Sequence, residues 1–583
     1  MPDAPVATFF GIEIDGQPLD PAVLSSVLHL IVDDHLLLPD TFEIVLQETP
    51  DRDVASKAHA RIGSKVVISG RALSDHAPLP LFTGEVTALE GEYREAKAPT
   101  LVIRGYDQGH RLMHGRRSAV FRQQKYSDIA HQMASQLGLE VGTIADSRTV
   151  FEYVHQAGQT AWEFLSDIAD EVGFQVGVND GKFNFAPPPA ASGGPDAGDL
   201  NSTNPLQLVF GQELKEFRPR TTAGSQVATV SVLGWDASTK SGLIAEEPTT
   251  ATGVQLPDTP PSVVTAFGSP GYVTGNRPRT TQAVVEAAAK AFAEQHGSAF
   301  AEATGIADGN PRLKAGASVN VSLVAAPFAG RYTLTHTRHV FDKKGYRTHL
   351  EMSGRQERTL LSLASGGGGS DGSGSSVRGV QVGLVTDNQD PDKHGRVRVQ
   401  LPYFGPDFVT NWARVVAPGN GQDRGFVWIP EVHDEVLVVF HHGDVSEPYV
   451  LGGLWNQKDP PPSIELDGDH LKARKLVSRT GQKLVFSDES GKEGILVSSA
   501  DGTILVQVDS ANKKVVITAN GGGKVEMKAQ GDITIDAQGS VKISGTGGVE
   551  ISSPASTKVS GTGQLSLESG GVTSVKGSQV SLG

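Results

Sequence analysis

The last part of the chain repeats apolar and polar positions with a period of eight residues. Residues 524–571 divide into the octads KVEMKAQG, DITIDAQG, SVKISGTG, GVEISSPA, STKVSGTG and QLSLESGG. Apolar residues mostly fill the second and fourth places, as Ile533 and Ile535 do, and the eighth place is usually glycine. Apolar residues two apart predict a short strand with one buried face. Glycine permits the positive φ at which the chain turns into the next strand. The period is therefore typical of a β-solenoid.

Two arrangements of chains fit this repeat. One chain that winds three octads into each coil would have coils of roughly 24 residues, but only about two coils, fewer than a buried core normally needs. Three intertwined chains that each give one octad per layer would form a narrow prism with a shared core. We favour the intertwined trimer. A disordered Gly/Ser-rich tail is a third interpretation, and it fails because disorder does not place Val/Ile pairs in register.

The first part of the chain shows the alternation of β-structure with a short helical insertion. Residues 42–46, 65–68 and 84–89 alternate apolar and polar positions, which predicts strands up to about Ile103. A helix is predicted from the N-cap within Tyr126-Ser127-Asp128 to Gly138, and a second from the capping box Thr160–Glu163 to Gly173. A hairpin turning at residues 179–181 follows the second helix.

The middle of the chain contains strands, one alanine-rich helix and a clear boundary. The helix is predicted over residues 283–303, interrupted or capped near Gly297, with strands before and after it. A Gly/Ser run at residues 365–376 predicts a flexible linker. The next stretch, Val377 to Asn456, has the size and strand content of a small five-stranded barrel.

The composition excludes several classes of partner and site. The chain has 583 residues, a formal net charge of −15, 38 % hydrophobic residues and no cysteine. The negative charge argues against nucleic acid as a partner, and the absence of cysteine excludes disulfides and thiolate metal sites. The N-terminal residues lack the pattern of a signal peptide, and no apolar run is long enough to span a membrane. We expect assembly in the cytoplasm and export by an unconventional route.

Each candidate site has a simpler structural explanation. Residues 387–392 are similar to a calcium loop, but the sixth place is not Gly and the twelfth is Arg398 instead of Glu. His441 and His442 are adjacent on a predicted strand and would point to opposite faces. Gly366 to Gly369 lack the Lys-Ser/Thr of a phosphate loop. The acidic residues at 431–435 alternate with valines as on a solvent-facing strand. We predict no catalytic, cofactor-binding or metal-binding residue.

The tail also argues against a carbohydrate-active β-helix. From Ser487 to the last residue there is no Phe, Trp, Tyr or His. A sugar-cleaving groove requires aromatic platforms and convergent carboxylates. We therefore expect a mechanical element.

The barrel-sized segment resembles the OB-fold of VgrG-like spike proteins of contractile injection systems. The motifs that carry this resemblance, in chain order, are GLVTD (383–387), DP (390–391), GRVRV (395–399), WAR (412–414), PEVHDEVLV (430–438), GD (443–444), Pro448, Gly452 and Leu454. Upstream, GYD (105–107), HRL (110–112), WEFL (162–165) and EVGF (171–174) are similar to the hub of the same family. The resemblance extends over nearly the whole chain.

The resemblance implies a mainly β protein with minor α: a hub of β-barrel domains with a small α/β insertion, an OB-fold barrel, and a C-terminal trimeric β-helix or β-prism. The expected regions are a first hub β-barrel domain (1–105), a mixed α/β hub segment (106–205), a second hub barrel-like domain with a helix (206–362), a Gly/Ser linker (363–377), an OB-fold (378–458) and an intertwined β-helix spike (459–583).

The implied function is that of a homotrimeric central spike in a phage-tail-like or type VI secretion particle. Its hub would contact inner tube and baseplate proteins, and the spike would transiently contact a target envelope. A PAAR-type tip protein would dock on the C-terminal residues Gln579, Val580, Ser581, Leu582 and Gly583. Two alternatives stay open: a polysaccharide-degrading tailspike enzyme, and a carrier of non-covalently loaded effectors. Relatives with lysozyme or toxin domains exist, but neither is present here, so we expect no enzyme.

Overall fold

The structure is a computed structural model that describes residues 10–48, 54–73, 75–95, 97–196, 203–236, 239–275, 277–354, 377, 379–405 and 407–581. The chain divides into two compact units, Met1–Gln457 and Lys458–Gly583. Most of the predicted linker at 363–377, together with Leu582 and Gly583, lies outside the described residues. No helix among the described residues is long and apolar enough to cross a membrane.

The first region forms strands where the alternating pattern predicts them. Its strands are β1 (Phe10–Ile14), β2 (Gln17–Pro18), β3 (Val27–His35), β4 (Thr41–Gln47), β5 (Lys65–Gly70), β6 (Leu79–Glu92) and β7 (Thr100–Tyr106), with short helices α1 (Pro21–Leu24) and α2 (Val54–Lys57). In β4, burial alternates along the strand, so that Phe42, Ile44 and Leu46 all enter the core. The alternation therefore has its predicted cause, a sheet with one buried face.

The mixed α/β segment confirms most of the local predictions. Its elements are β8 (Arg117–Lys125), α3 (Tyr126–Gln136), β9 (Glu140–Ile144), β10 (Val150–Gln159), α4 (Ala161–Glu171), β11 (Gln175–Asn179) and β12 (Lys182–Ala186). The capping box that begins α4 is present, since Glu163 N–H donates to Thr160 Oγ1 (3.1 Å) and Thr160 N–H donates to Glu163 Oε2 (2.9 Å). The start of α3 differs from the prediction: Lys125 is the N-cap, and Asp128 accepts its N–H.

The third region returns to β-structure around one long helix. Its elements are β13 (Gln207–Val209), β14 (Leu214–Thr221), β15 (Thr229–Asp236), β16 (Ser241–Pro248), β17 (Val254–Gln255), α5 (Pro260–Val264), β18 (Gly271–Thr274), α6 (Gln282–Ser298), β19 (Ala301–Asp308), β20 (Ser318–Ser322), β21 (Gly330–Thr333), β22 (His336–Asp342) and β23 (Gly345–Met352). The predicted cap near Gly297 agrees with the end of α6 at Ser298. The helix does not continue to residue 303, because Ala301 pairs with β14 and Ala303 pairs with both β14 and β23.

A continuous sheet joins the first and third regions. Its eleven strands run in the order β14-β19-β23-β22-β3-β4-β7-β6-β5-β1-β2. The junction is the antiparallel pair β3–β22, in which His35 lies opposite His336. The two predicted barrel-like hub domains therefore share one sheet. Sequence alternation cannot reveal such a pairing between strands some 300 residues apart.

The OB region completes the first unit. Its strands, β24 (Gln381–Asp387), β25 (Arg398–Gln400), β26 (Arg414–Val415), β27 (Glu435–Phe440) and β28 (Pro448–Gly453), form one sheet in the order β25-β24-β27-β28-β26. Their inward valines form a core with Leu401, Phe408 and Phe440. Tyr153 of β10 donates its hydroxyl to the carbonyl of Val409 (3.1 Å), which links the α/β segment to this barrel.

The second unit begins with an ordinary antiparallel sheet. The strands are β29 (Leu466–Asp467), β30 (His470–Leu471), β31 (Ala473–Val477), β32 (Lys483–Ser487), β33 (Gly494–Ser498), β34 (Ile504–Asp509) and β35 (Lys514–Ala519). Strands β31 to β35 pair in chain order as a meander. The sequence placed an irregular start of the solenoid near Lys475, whereas the single chain forms hairpins there.

Candidate functional site

One turn of the OB barrel is organised around a single carboxylate, that of Asp390. Asp390 Oδ2 accepts hydrogen bonds from the backbone N–H of His394 (2.8 Å) and from Nε of Arg396 (3.0 Å). Its Oδ1 accepts from the N–H of Asp392 (3.1 Å) and from Nη2 of Arg396 (2.6 Å). The side chain of Asp390 is 2 % exposed. These donors explain why the motif needs an Asp before Pro391 and an Arg six residues after that Asp.

The same turn orders the neighbouring arginines over an aromatic ring. The guanidinium carbon of Arg398 lies 4.5 Å from the ring centroid of Trp412, and that of Arg396 lies 6.0 Å from it. Cation–π attraction of this kind holds the β25 strand against the WAR segment. Asp390, Arg396, Arg398 and Trp412 therefore act together in the architecture of the barrel.

This geometry disagrees with a calcium loop at residues 387–392. Calcium requires six to eight oxygen ligands, but both oxygens of Asp390 already accept N–H donors. Asp387 Oδ1 accepts the N–H of Gln389 (2.8 Å) within the same turn. The polar-turn interpretation is thus supported by the hydrogen bonds themselves.

The two adjacent histidines differ from the prediction. His441 and His442 lie beyond β27 in a 3-10 turn, with His442 at a φ of 52°, and their ring centroids are 4.6 Å apart. The argument that they point to opposite faces of a strand was therefore wrong. They are not part of a three-residue metal-ligand cluster among the described residues.

The acidic residues of the PEVHDEVLV motif are used in local structure. Asp434 Oδ2 accepts the N–H of Glu431 (2.8 Å), which closes the turn before β27. Glu435 Oε2 accepts Asn456 Nδ2 (2.6 Å). Both contacts are those of a structural turn and strand end.

The hub motif GYD likewise contributes to the architecture. Asp107 is buried, and its Oδ1 accepts the N–H of Gly109 (2.7 Å) while its Oδ2 accepts that of Asp40 (3.1 Å). Burial raises the pKa of Asp107 to about 7, against the opposing effect of these hydrogen bonds. Arg111 of the HRL motif pairs with Glu85. The hub motifs therefore fix the turn that follows β7.

We predict that Asp390→Asn destabilises the OB barrel. The Arg396 hydrogen bonds hold the pKa of Asp390 well below its usual range, so the native state favours the carboxylate. The substitution should cost about 1.5–3 kcal/mol, as expected for hydrogen bonds to a charged group. Because the lowered pKa belongs to the native state, this stabilisation is present at neutral pH and is lost as pH falls below about 4.

Denaturant unfolding of both proteins between pH 7 and pH 2 checks this. The gap between wild type and Asp390→Asn should narrow as the pH falls. Asp392→Asn is the matched control, because the Asp392 side chain is 60 % exposed although it also contacts Arg396. A gap that stays constant at all pH values would contradict the role of the ionised carboxylate.

The octad tail exposes its apolar places in the single chain. The exposed residues at these places are Val525 (51 %), Met527 (71 %), Ile533 (55 %), Ile535 (65 %), Val541 (55 %), Ile543 (71 %), Val549 (55 %), Ile551 (71 %), Val559 (65 %), Leu565 (55 %) and Leu567 (74 %). Apolar rows of this length are unusual on a monomer surface and mark interaction sites.

The backbone of the tail forms no strand pairs within the single chain. Residues 520–581 lie outside every assigned strand. Asn520 N–H donates to Thr503 O (2.9 Å) just after β35, and the later backbone hydrogen bonds are local turns, such as Gly523 N–H to Asn520 O (3.1 Å) and Gly548 N–H to Gly545 O (3.3 Å). Winding three octads of one chain into a coil would have buried these apolar residues and paired the coils. The single chain does not form this arrangement, and its octads leave their apolar places exposed.

The predicted tip-docking residues lie at the end of this tail. Gln579, Val580 and Ser581 are exposed, with Val580 at 49 %. Leu582 and Gly583 lie outside the described residues. Docking at this end stays a prediction.

The structure also brings together a cluster that the sequence did not single out. Asp33, His35 and His336 place one ligand atom each within 4.8 Å of one another, among the described residues. His336 is some 300 residues from the other two, so only the β3–β22 pairing could reveal it. No short motif spans such a distance.

Two family models match separate parts of the first unit. Residues 49–342, just over half of the chain, match the family described as the Alg8 N-terminal domain. Residues 381–455 match the type VI secretion system/phage-baseplate injector OB domain. The second match coincides with the strands β24 to β28.

Two curated relatives are similar to segments of this chain. A segment of 134 residues is 34 % identical to the type VI secretion system spike protein VgrG4b of Pseudomonas aeruginosa, covering 21 % of this chain and 16 % of that protein. A segment of 111 residues is 30 % identical to the actin cross-linking toxin VgrG1 of Vibrio cholerae, covering 18 % of this chain and 10 % of that protein. The chain thus matches less than a fifth of the length of these relatives.

A solved structure shares the fold. The half-lidded Francisella PdpA–VgrG complex aligns with a TM-score of 0.52 and 8 % identity, over 87 % of each chain. At that identity the likeness concerns the fold alone. It extends the similarity beyond the OB barrel to most of the chain. The chain therefore belongs to the Alg8 N-terminal domain family, and it contains an injector OB domain similar to that of VgrG spike proteins.

Proposed function

We propose that this protein is the homotrimeric central spike and hub of a contractile injection system, with a structural and non-enzymatic role. The proposal rests mainly on the octad tail. Its apolar places recur every eight residues and are exposed in the single chain. Three copies in the same register would bury Ile533, Ile535 and their counterparts in one core and pair the free backbone groups of each strand. The result would be a stiff prism without open edges.

The hub would dock the spike on the rest of the particle. The eleven-stranded sheet and the five-stranded OB sheet belong to one compact unit, so the hub would offer a large β-rich body to its partners. We propose inner tube and baseplate proteins as partners of the hub, and a PAAR-type tip protein as the partner of Gln579–Gly583. Assembly would take place in the cytoplasm, and the spike would contact a target envelope transiently.

The alternatives have less support. A polysaccharide-degrading tailspike would need a groove with aromatic platforms, and none of the described residues of the octad tail is aromatic. Measured glycan cleavage by the purified chain would revive that hypothesis. A carrier role is compatible with the spike, since non-covalent loading of effectors requires no motif in this chain. Co-purification of a defined effector would establish it.

The solution mass of the full-length chain tests the proposal. Light scattering should give three times the 61.4 kDa of one chain. A chain ending at Gln457, which retains the first compact unit, should show a weakened or absent trimer. A full-length monomer at micromolar concentration would overturn the proposal.

A further inference from the structure

The junction of the eleven-stranded sheet carries three side chains suited to a metal ion. Asp33 and His35 are two residues apart on β3, so both side chains project from the same face of the sheet. His336 lies directly opposite His35 on β22, at the spacing at which cross-strand side chains touch. A pair two apart on one strand and a third residue opposite is a compact way for a sheet to present three ligands to one ion.

The distances bring the ligand atoms close together. His336 Nε2 lies 3.0 Å from Asp33 Oδ1, and all three ligand atoms lie within 4.8 Å of one another. Ligands of a tetrahedral zinc ion, bound at about 2.0–2.2 Å, are separated by roughly 3.3 Å. The Asp33–His336 spacing is therefore close to that of ligands already in place.

The third ligand needs a rotation. The rings of His35 and His336 stack with centroids 3.8 Å apart and an interplanar angle of 4°. In stacked rings the nitrogen lone pairs run side by side, so the ring of His35 must turn about χ2 to face the ion. This rotation involves one side chain and leaves the strand pairing intact.

A fourth residue, Glu351, contacts the second ring nitrogen of His336. Glu351 Oε2 lies 3.4 Å from His336 Nδ1, the ring nitrogen that faces away from Asp33. Metal-binding histidines usually donate their second N–H to a carboxylate, which fixes the tautomer and the ring orientation. Glu351 is thus a positioning residue and need not contact the ion.

The cluster is open to solvent from one side. His336 and Glu351 line a depression of about 360 Å³, together with Glu216, Arg218, Arg338 and His349. The side chains of Asp33 and His336 are 20 % and 24 % exposed. An ion can therefore enter without opening the sheet.

The donor set and its neighbours restrict which ion can bind. Arg338 Nε lies 3.7 Å from Asp33 Oδ1, so an ion must share this carboxylate with a guanidinium. Two imidazole ligands favour first-row transition metals over calcium and magnesium, which prefer oxygen ligands.

We propose that Asp33, His35 and His336 bind one divalent transition-metal ion of the Zn²⁺, Co²⁺ or Ni²⁺ type, positioned by Glu351. The ion joins β3 to β22 and so fastens the two halves of the hub sheet where they meet. The chain has no cysteine, and imidazole and carboxylate are therefore the strongest metal ligands that it can offer. This site is independent of the trimer and of the spike function.

Titration of the metal-free full-length chain with Co²⁺ tests the proposal. We expect one ion per chain, with the intense visible absorption of a four-coordinate site, and displacement by Zn²⁺. His336→Asn should abolish the saturable absorption, and Glu351→Gln should weaken binding about 10- to 100-fold, as for other outer carboxylates. Thermal unfolding of each variant without metal shows whether its fold is retained.

His349→Asn is the matched control, because His349 lines the same depression on β23 but is not in the cluster. It should leave the affinity and the spectrum unchanged. If His336→Asn misfolds, Asp33→Asn provides the second test at a ligand. Absence of saturable binding to the wild-type chain, or equal losses in His336→Asn and His349→Asn, would overturn the proposal.

Discussion

Replacing Ile533 and Ile535 together with Asp is expected to abolish the trimer of the full-length chain at micromolar concentration. In the proposed prism these two residues face the shared core, so the double substitution places six carboxylates in one layer. An unpaired buried charge costs several kcal/mol, and like charges in one layer repel further. Light scattering should show a shift in mass from three chains to one.

The matched control places the same charges on the other face of the same octad. Thr534 and Gln538 occupy the third and seventh places of the octad, and in an extended strand their side chains point away from the face of Ile533 and Ile535. Thr534→Asp with Gln538→Asp should keep the mass of the trimer. Equal behaviour of the two double variants would show that the octads do not bury one face, and the prism would have to be abandoned.

The second large effect is expected for Gly105→Ala in the hub. Gly105 lies on β7 between Phe42 of β4 and Val86 of β6, beside an irregularity in the β6–β7 register. A Cβ atom there would collide with the carbonyl oxygen of Glu85 and with the ring of Phe42. Because the carbonyl belongs to the backbone, the strands themselves would have to move. We expect a loss of about 3 kcal/mol, the upper end of the usual cost of overpacking.

Thermal unfolding of the hub measures this loss. Gly242→Ala is the control, because Gly242 is also a strand glycine but has open space around its Cβ position. Its melting temperature should stay within about a degree of the wild type, since surface substitutions usually change stability by under 0.5 kcal/mol. A wild-type melting temperature for Gly105→Ala would mean that the close approach of Phe42 and Glu85 is not required.

Local signals in the sequence predicted the local structure well. The capping box of α4 depends on Thr160 and Glu163, which are three residues apart, and the hairpin β11–β12 depends on one short turn. The octad period predicts short strands in the tail, whereas residues 520–581 of the single chain lie outside every assigned strand, so those strands stay a prediction for the assembled trimer. The injector OB domain was recognisable from residues whose hydrogen bonds and cation–π contacts lie within about 25 positions of one another.

The sequence could not predict features that depend on distant pairings. Nothing near Val27–His35 indicates that this strand pairs with His336–Asp342, so the shared sheet and the cluster at His336 were missed. The helix was extended beyond the end of α6 because alanine favours helix, whereas Ala301 pairs with β14 and Ala303 pairs with both β14 and β23. The His441–His442 turn was missed because a single residue at positive φ, His442, ended β27.

The octad tail has a consequence for the order in which the protein can fold. Since one chain leaves residues 520–581 without strands, these residues would acquire their structure only when three copies meet. Because the units of eight residues share one apolar pattern, neighbouring chains could align one unit out of step, and the repeat itself would not disfavour that register strongly. The folded parts that precede the tail would fix the same register in all three chains, and the octads would then pair in order from this end toward the tip. Correct folding of the hub would then determine the register of the spike. A hub variant that misfolds would give spikes with misaligned chains even though the tail sequence is unchanged.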